Sequence, residues 1–221
     1  MRPRAPFVAL AALLALPLAT PLAAQIGVGA HVGTTGLAGD IAIALGGSAQ
    51  LRGSIGLMPV DPSWTVSDID VTAELPKTFS FVGLDLFPGG SGLRIGGGVL
   101  IKPDDPTLTG ELTESKQIGN QTYTPQQVGT LTGVVESKKV SPYAMVGFGK
   151  IASSGISLFL DLGAAFVGES TLSLESEGGT LSSNAQFQAE LAREEADWQE
   201  EIDKFKIYPL INVGLRVGIG N

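Results

Sequence analysis

Few side chains in this sequence could carry catalysis. His31 is the only histidine and there is no cysteine, so thiol nucleophiles, thiolate metal sites and disulfide bonds are excluded. A hydrolase triad, or a site acting on lipid acyl esters, would need a serine and an acid beside His31, and Ser54 and Asp40 are conceivable neighbours. The sequence has no G-x-S-x-G or H-E-x-x-H motif, and no helix is predicted after the glycines at 96–98 to make a nucleotide loop. We therefore expect no catalytic, cofactor-binding or metal-binding residues, and no cofactor.

Charged residues interrupt six otherwise apolar segments. They are three acids and three bases: Asp40, Arg52, Asp85, Arg94, Asp161 and Arg216. Each alternates with aliphatic neighbours, so all six would lie on the face opposite to the aliphatic one. Ionised groups withdrawn from water need partners, and the signs balance, so we predict a salt-bridged network. Two alternatives stay open, in which the same charges line a narrow ion path or paired carboxylates do acid–base work.

The surrounding segments have the alternation that is typical of strands. In residues 207–221, seven apolar residues from Ile207 to Ile219 occupy every second position. Similar alternation occurs in residues 93–101 and 156–162, where the opposite face is small or charged. The 30 glycines suit short strands whose backbones approach closely. Strands of about 9 to 11 residues are long enough to cross a bilayer.

The connections between these strands have two lengths. Tight turns are predicted at 46–49, 88–91 and 152–155, and long polar stretches at 59–75, 103–138 and 168–205. Such alternation is typical of a membrane barrel with short periplasmic turns and long outer loops. A secreted β-sandwich or lipocalin-like barrel is the alternative. Within the second long stretch, two threonine-rich segments, 107–113 and 128–136, could extend strands above the membrane as a hairpin.

The number of strands depends on residues 33–36. Apolar residues occupy even positions from Ile26 to Val32 and odd positions from Leu37 to Leu45. A tight turn at Gly-Thr-Thr-Gly would give eight strands and a bulge would give seven. Single-chain bacterial barrels have even numbers, so we predict an all-β, eight-stranded antiparallel transmembrane β-barrel. A barrel of this size is filled by its own side chains, so the charged lumen would be a plug.

Residues 1–24 have the features of a secretory signal peptide. Arg2 and Arg4 precede an apolar run at 7–18, and small residues before Gln25 suit cleavage after Ala24. The apolar run is shorter than the roughly 20 residues of a membrane anchor, which is the alternative. Residues 25–221 would then form the barrel domain. Without Arg2 and Arg4, 12 of the 14 basic residues stand against 22 acidic ones, which disfavours nucleic acid as a partner.

One segment has helical rather than strand periodicity. Residues 182–206 are predicted to form an amphipathic helix between the last two strands, with acidic residues on its other sides. Its apolar stripe comprises Phe187, Leu191, Trp198, Ile202 and Phe205. By the order of the loops, this helix lies on the outer side, near Trp64 and residues 103–138. It would be either a lid on the barrel mouth or loops, or a docking face for a protein partner or the lipid headgroup layer.

The mature chain resembles the OmpA/OmpX-like family of small outer-membrane β-barrel proteins from proteobacteria. The segments that carry the resemblance are 33–37, 87–90, 92–98, 140–143 and 205–209. The resemblance implies an eight-stranded barrel and no shared catalytic residues. One departure is the chain's end, Ile219-Gly220-Asn221, where such barrels usually have an aromatic residue that the assembly machinery reads.

The sequence thus predicts a small protein of the cell outer membrane, exported by the general secretory route, with a structural or surface-interaction role. The expected partners are outer-membrane lipids and lipopolysaccharide, the barrel assembly machinery and, at the outer loops, an unidentified protein. Two other functions stay open: a narrow pore or small-solute channel, and a lipid-modifying outer-membrane enzyme.

Overall fold

The fold is given by a computed structural model that describes residues 25–66, 69–90, 92–150, 152 and 155–219. The predicted signal peptide, 1–24, lies outside the described residues. Among the described residues the α-helices are α1 (Pro125–Val128) and α2 (Ala185–Ile202). In chain order the strands are β1 (Ile26–Gly33), β2 (Gly36–Ala44), β3 (Ala49–Leu57), β4 (Ser63–Val66), β5 (Ile69–Glu74), β6 (Thr78–Leu86), β7 (Leu93–Ile101), β8 (Thr107–Leu112), β9 (Lys116–Ile118), β10 (Gln121–Tyr123), β11 (Gly129–Glu136), β12 (Val140–Phe148), β13 (Gly155–Ala165), β14 (Thr171–Gly178) and β15 (Tyr208–Ile219).

Eight of these strands close into an antiparallel barrel, which confirms the predicted fold. Their order around the barrel is β1-β15-β13-β12-β7-β6-β3-β2, and β2 pairs again with β1. The first and last strands pair along their whole shared length, from Ile26 opposite Ile219 to Gly33 opposite Asn212. Closure leaves no free edge in this sheet.

Residues 33–36 form a tight turn, as predicted. Gly33 is paired with Gly36, and Thr34 and Thr35 make the two-residue loop between β1 and β2. Paired residues lie on the same face of a sheet, so this loop moves the outward positions from even to odd numbers. Gly36 has φ +83° and an added Cβ would collide with the Leu57 carbonyl, so the turn requires glycine there.

The barrel's outer surface is a continuous aliphatic belt. Every barrel strand points large apolar side chains outward, as in Ile55, Val82 and Ile156, of which Ile156 is 76% exposed. The inward positions carry a mixture of small, aromatic, aliphatic, polar and charged side chains. Strand alternation therefore divides the barrel into an apolar exterior and a mixed lumen.

From β2 onward, short and long connections alternate along the chain and lie at opposite ends of the barrel, while the two-residue loop between β1 and β2 lies at the same end as the long ones. Turns of a few residues join β2 to β3, β6 to β7 and β12 to β13, and we call this the turn end. The long segments between β3 and β6, β7 and β12, and β13 and β15 emerge at the other end, which we call the loop end.

A second sheet of five strands stands at the loop end, and we call it the loop-end sheet. Its order, β14-β11-β8-β5-β4, follows the order of the barrel strands β13-β12-β7-β6-β3. It therefore prolongs one side of the barrel wall. The predicted hairpin is present, since β8 pairs with β11, but the participation of β4, β5 and β14 was not predicted.

Helix α2 is shorter than predicted. It spans Ala185–Ile202, and Asn184 caps its start by accepting hydrogen bonds from the amides of Gln186 and Phe187 at 3.0 and 3.1 Å. It ends four residues early because the Lys206 carbonyl already accepts a bond from the Gly168 amide at 3.2 Å, beside the start of β15. No helix among the described residues is long and apolar enough to cross a bilayer.

Candidate functional site

Four buried charged residues form a closed ring inside the barrel, which we call the charge ring. They are Arg52, Asp85, Arg94 and Asp161. Arg52 lies 3.2 Å from Asp85 and 2.7 Å from Asp161, measured between nitrogen and oxygen. Arg94 is 3.7 Å from Asp85 and pairs with Asp161 as well. Each guanidinium thus contacts both carboxylates, and the four charges cancel.

The charge ring spans the barrel's interior. Arg52 is on β3 and Asp161 is on β13, so three strands stand between them on the wall and the pair reaches across the lumen. Asp85 and Arg94 lie on the neighbouring strands β6 and β7 near the turn end. Residues from four strands therefore meet at one level.

Asp40 and Arg216 form a second, separate ion pair, which we call the charge pair. Their strands, β2 and β15, flank β1, on which Gly29 is the register partner of both residues. A Cβ on Gly29 would collide with the Asp40 carboxylate. The pair thus passes over a residue that has no side chain.

The same arrangement recurs in the charge ring. Gly147 on β12 is the register partner of both Arg94 and Asp161, and a Cβ there would collide with the Asp161 carboxylate. Two ion pairs therefore bridge a strand over a glycine. The sequence predicted the six charges but not which acid pairs with which base. A signal for the pairing was present, because a glycine stands in register between the two oppositely charged residues in both cases.

Aromatic rings accompany the arginines. The Arg94 and Arg216 guanidinium carbons lie 5.3 and 4.9 Å from the centre of the Phe159 ring, which links the charge ring to the charge pair. Arg52 lies 5.0 Å from the Phe81 ring. Nearer the loop end, an apolar cluster fills the lumen: Phe79, Phe81, Leu100, Tyr143, Met145, Ala165 and Leu210.

The structure does not bring His31, Ser54 and Asp40 together as a triad. The His31 ring lies against Phe81 and Phe159, at centroid distances of 6.1 and 5.8 Å, and neither nitrogen has a hydrogen-bond partner among the described residues. The Ser54 hydroxyl donates to the Gly39 carbonyl at 3.0 Å, and Asp40 is held by Arg216. Within the described part of the chain, no group of three or more metal-ligating side chains is present.

An ionic cluster ties two connections at the loop end. The Asp105 carboxylate lies 2.7 Å from Lys102 Nζ and 2.5 Å from Lys139 Nζ, and accepts a hydrogen bond from the Ser137 amide at 3.2 Å. Burial raises the Asp105 pKa, but the bonds from both lysines and Ser137 outweigh it and lower the pKa to about 2. The cluster joins the segments before β8 and after β11, and sequence reasoning missed it.

The predicted docking face on α2 is divided between packed and exposed residues. Phe187 and Leu191 are buried, and Phe187 contacts Tyr123 edge-to-face at a centroid distance of 4.9 Å. Trp198 is 59% exposed, while Phe205 is 69% exposed and lies beyond the helix. Only the first half of the stripe is therefore buried, and Ile202, near the helix end, is half-buried.

Polar side chains of α2 satisfy the free edge of the loop-end sheet. The Leu172 amide donates to Gln199 Oε1 at 2.7 Å, and the Leu174 amide donates to Glu195 Oε2 at 2.8 Å. Both amides belong to β14, the edge strand. The helix therefore covers an edge that would otherwise be open to another strand.

Two more glutamates attach α2 to the turn between β9 and β10. The Gly119 amide donates to Glu194 Oε1 at 2.7 Å, and the Asn120 amide donates to Glu190 Oε2 at 2.9 Å. The Asn120 bond, together with Arg193, lowers the pKa of Glu190. Part of the acidic face of α2 thus holds the helix in place.

No protein-family model and no curated protein matches this chain. The crystal structure of CarO2 from Acinetobacter baumannii matches with a TM-score of 0.61 and 18% identity, over 89% of this chain and 99% of CarO2. CarO from the same organism matches with a TM-score of 0.59 and 21% identity, over 86% of this chain and 96% of CarO. This chain is similar in fold to CarO2 and CarO. At these identities the likeness to CarO2 and CarO concerns the fold alone.

A major outer membrane protein from Thermus thermophilus is a looser match, with a TM-score of 0.43 and 13% identity over 89% of this chain and 100% of that one. The resemblance to the OmpA/OmpX-like family stays a prediction.

Proposed function

We propose that this chain is an exported outer-membrane barrel protein whose lumen is closed by its own side chains and whose loop end carries a structural or surface-interaction role. The observation that carries the proposal is the aliphatic belt on all eight barrel strands. Each large aliphatic side chain that stays in water forgoes about 1.5–3 kcal/mol of burial free energy, whereas lipid tails offer an apolar surrounding. A closed barrel also satisfies its backbone internally, which hydrocarbon demands.

The charge ring and the charge pair support a closed lumen. Their side chains are buried and mutually neutralised, and the three arginines lie over the rings of Phe81 and Phe159. The apolar cluster fills the lumen nearer the loop end. Buried charges that are paired in this way have a structural role, and we propose neither a catalytic role nor a cofactor for them. The fold shared with CarO2 and CarO is consistent with it.

Export, partners and orientation complete the proposal. Residues 1–24 direct the chain through the general secretory route, and the barrel assembly machinery inserts it. The turn end then faces the periplasm and the loop end faces outward, where lipopolysaccharide and a protein partner are within reach.

Membrane fractionation and planar-bilayer recording test this proposal. We expect the protein in the outer-membrane fraction, resistant to carbonate extraction, with slower gel migration after boiling and no steady conductance when purified. Recovery as a soluble periplasmic protein would overturn the membrane assignment. A steady large conductance would replace the closed lumen with a narrow pore, and a changed mass of lipid A on overproduction would indicate a lipid-modifying enzyme instead.

A further inference from the structure

A cavity of about 500 Å³ lies between the loop-end sheet and α2, outside the barrel. All five strands of the sheet contribute to its walls, which are mainly apolar, and Lys116, Gln117 and Glu194 also line the cavity. The main lining residues are Trp64, Val71, Leu131, Leu172, Leu174 and Trp198. Ligand sites in proteins are typically clefts of roughly 300–1,000 Å³ with apolar walls and few polar groups, so the cavity has the size and character of one.

Two glycines give the cavity its depth. Gly110 on β8 and Gly133 on β11 line its floor, and neither has a backbone conformation that requires glycine. An added Cβ on Gly133 would meet the flexible ends of Leu174 and Leu172 at 3.1 and 3.6 Å, and the Leu108 carbonyl oxygen at an ordinary contact distance of 3.9 Å. A side chain could therefore occupy this space, and the sequence leaves it open.

Polar bonds hold the roof of the cavity above this floor. On one side α2 is bonded through Gln199 to the Leu172 amide, and on the other through Glu194 to the Gly119 amide. Trp198 and Ile202 project between these two attachments and line the cavity. Because the helix is fixed on both sides, it does not settle onto the sheet to bury its apolar face.

The charge of the roof selects among ligands. One basic residue of α2, Arg193, stands against its acidic residues Glu190, Glu194, Glu195, Asp197, Glu200 and Glu201. Lys116 and Glu194, one charge of each sign, line the cavity itself, so its wall offers no net charge to an ion. An anion at the mouth would in addition meet the negative potential of α2. We propose that the cavity binds an uncharged apolar small molecule. Binding would occur at the loop end and is independent of whether the lumen conducts.

Two fluorescent probes with the same ring system test the proposal. N-phenyl-1-naphthylamine is uncharged, and 8-anilinonaphthalene-1-sulfonate adds a sulfonate to the same body. Trp64 and Trp198 are the only tryptophans of the chain and both line the cavity, so energy transfer from tryptophan reports a bound probe. With protein in lipid nanodiscs, and empty discs subtracted, we expect saturable binding of the uncharged probe and at least about tenfold weaker binding of the sulfonate.

A variant that fills the cavity tests the location of the site, and a second substitution on the same strand is its matched control. Gly133→Leu should abolish saturable binding, and Thr132→Leu, on the opposite face of the same strand, should retain it. Helical circular dichroism and gel migration must match wild type in both variants. If Gly133→Leu fails that check, Gly110→Leu fills the same floor and takes its place. Binding unchanged by the filling variant, equal binding of both probes, or uptake no greater than in empty discs would each overturn the proposal.

Discussion

Arg216 and Asp40 meet across β1 because Gly29, the register partner of both, has no side chain. Gly147 has the same position between Arg94 and Asp161. An eight-stranded barrel has room inside for little more than its own side chains, so a long side chain needs a short neighbour. At the scale of residues, the glycines are therefore part of the ion-pair geometry.

Removing one member of the charge pair should cost more than removing both. Arg216→Met leaves the Asp40 carboxylate buried without its partner, and we expect the free energy of unfolding to fall by about 3–5 kcal/mol. Asp40→Leu combined with Arg216→Met leaves no unpaired charge and should recover most of that loss. Urea titration followed by gel migration measures both. A double variant as unstable as Arg216→Met would show that the pair is not the cause.

Alternation in the sequence was enough to place the six charges on one face, because the side-chain period of a strand is two. It was not enough to say which acid meets which base. Arg52 and Asp161 are 109 residues apart, and their contact depends on the registers of all the strands between them. Likewise, the hydrogen bonds that Glu194 and Glu195 accept from backbone amides depend on where α2 packs, which helical periodicity does not give.

At the scale of elements, the segments between strands β7 and β12 are tied by Asp105. Lys102 comes from the first connection, and Ser137 and Lys139 come from the second. The Asp105 pKa is about 2 in the folded state, below its ordinary 3.8, so folding favours the ionised form. The stabilisation is complete above the ordinary pKa and is lost as the pH falls from about 4 to about 2.

The pH dependence of the loop-end sheet tests this tie. Because solvent screens this cluster, we expect roughly 1 kcal/mol of its stability to disappear over that pH range, and Asp105→Asn should remove the dependence at a matching cost at neutral pH. Urea titration followed by the fluorescence of Trp64 and Trp198 measures it. Asp104→Asn is the control and should behave as wild type. An unchanged acid transition in Asp105→Asn would contradict the assignment.

The elements themselves were predictable where alternation is long. The barrel strands, at eight to twelve residues, have a clear inner and outer face in the sequence. The loop-end strands β4 and β5 are only four and six residues long and lie in the stretch 59–75, which was predicted to be a long polar connection. They form a sheet because the barrel strands to which they are connected lie side by side and hold them next to one another. The predicted end of the helix was wrong for a related reason, since pairing at Lys206 takes precedence over helical periodicity.

At the scale of the whole molecule, the aliphatic belt should tolerate no charge at its middle. Val213→Arg places a guanidinium on the outward face of β15, and we expect about 2–4 kcal/mol of destabilisation in a bilayer. Val60→Arg, in the connection after β3, makes the same change at an exposed position and should be nearly neutral. Unfolding in liposomes of defined composition measures both. Equal effects of the two variants would mean that the belt does not meet lipid.

The seam between β1 and β15 has a kinetic consequence. These strands lie at opposite ends of the described chain, so their pairing demands the most distant encounter of the fold and carries the largest loop-closure entropy. Asp40 and Arg216 sit on either side of that seam and cannot meet before it shuts. The Asp40–Arg216 ion pair can thus form only in the last step of assembly. Its stabilising free energy should therefore appear as a slower unfolding rate of the closed barrel.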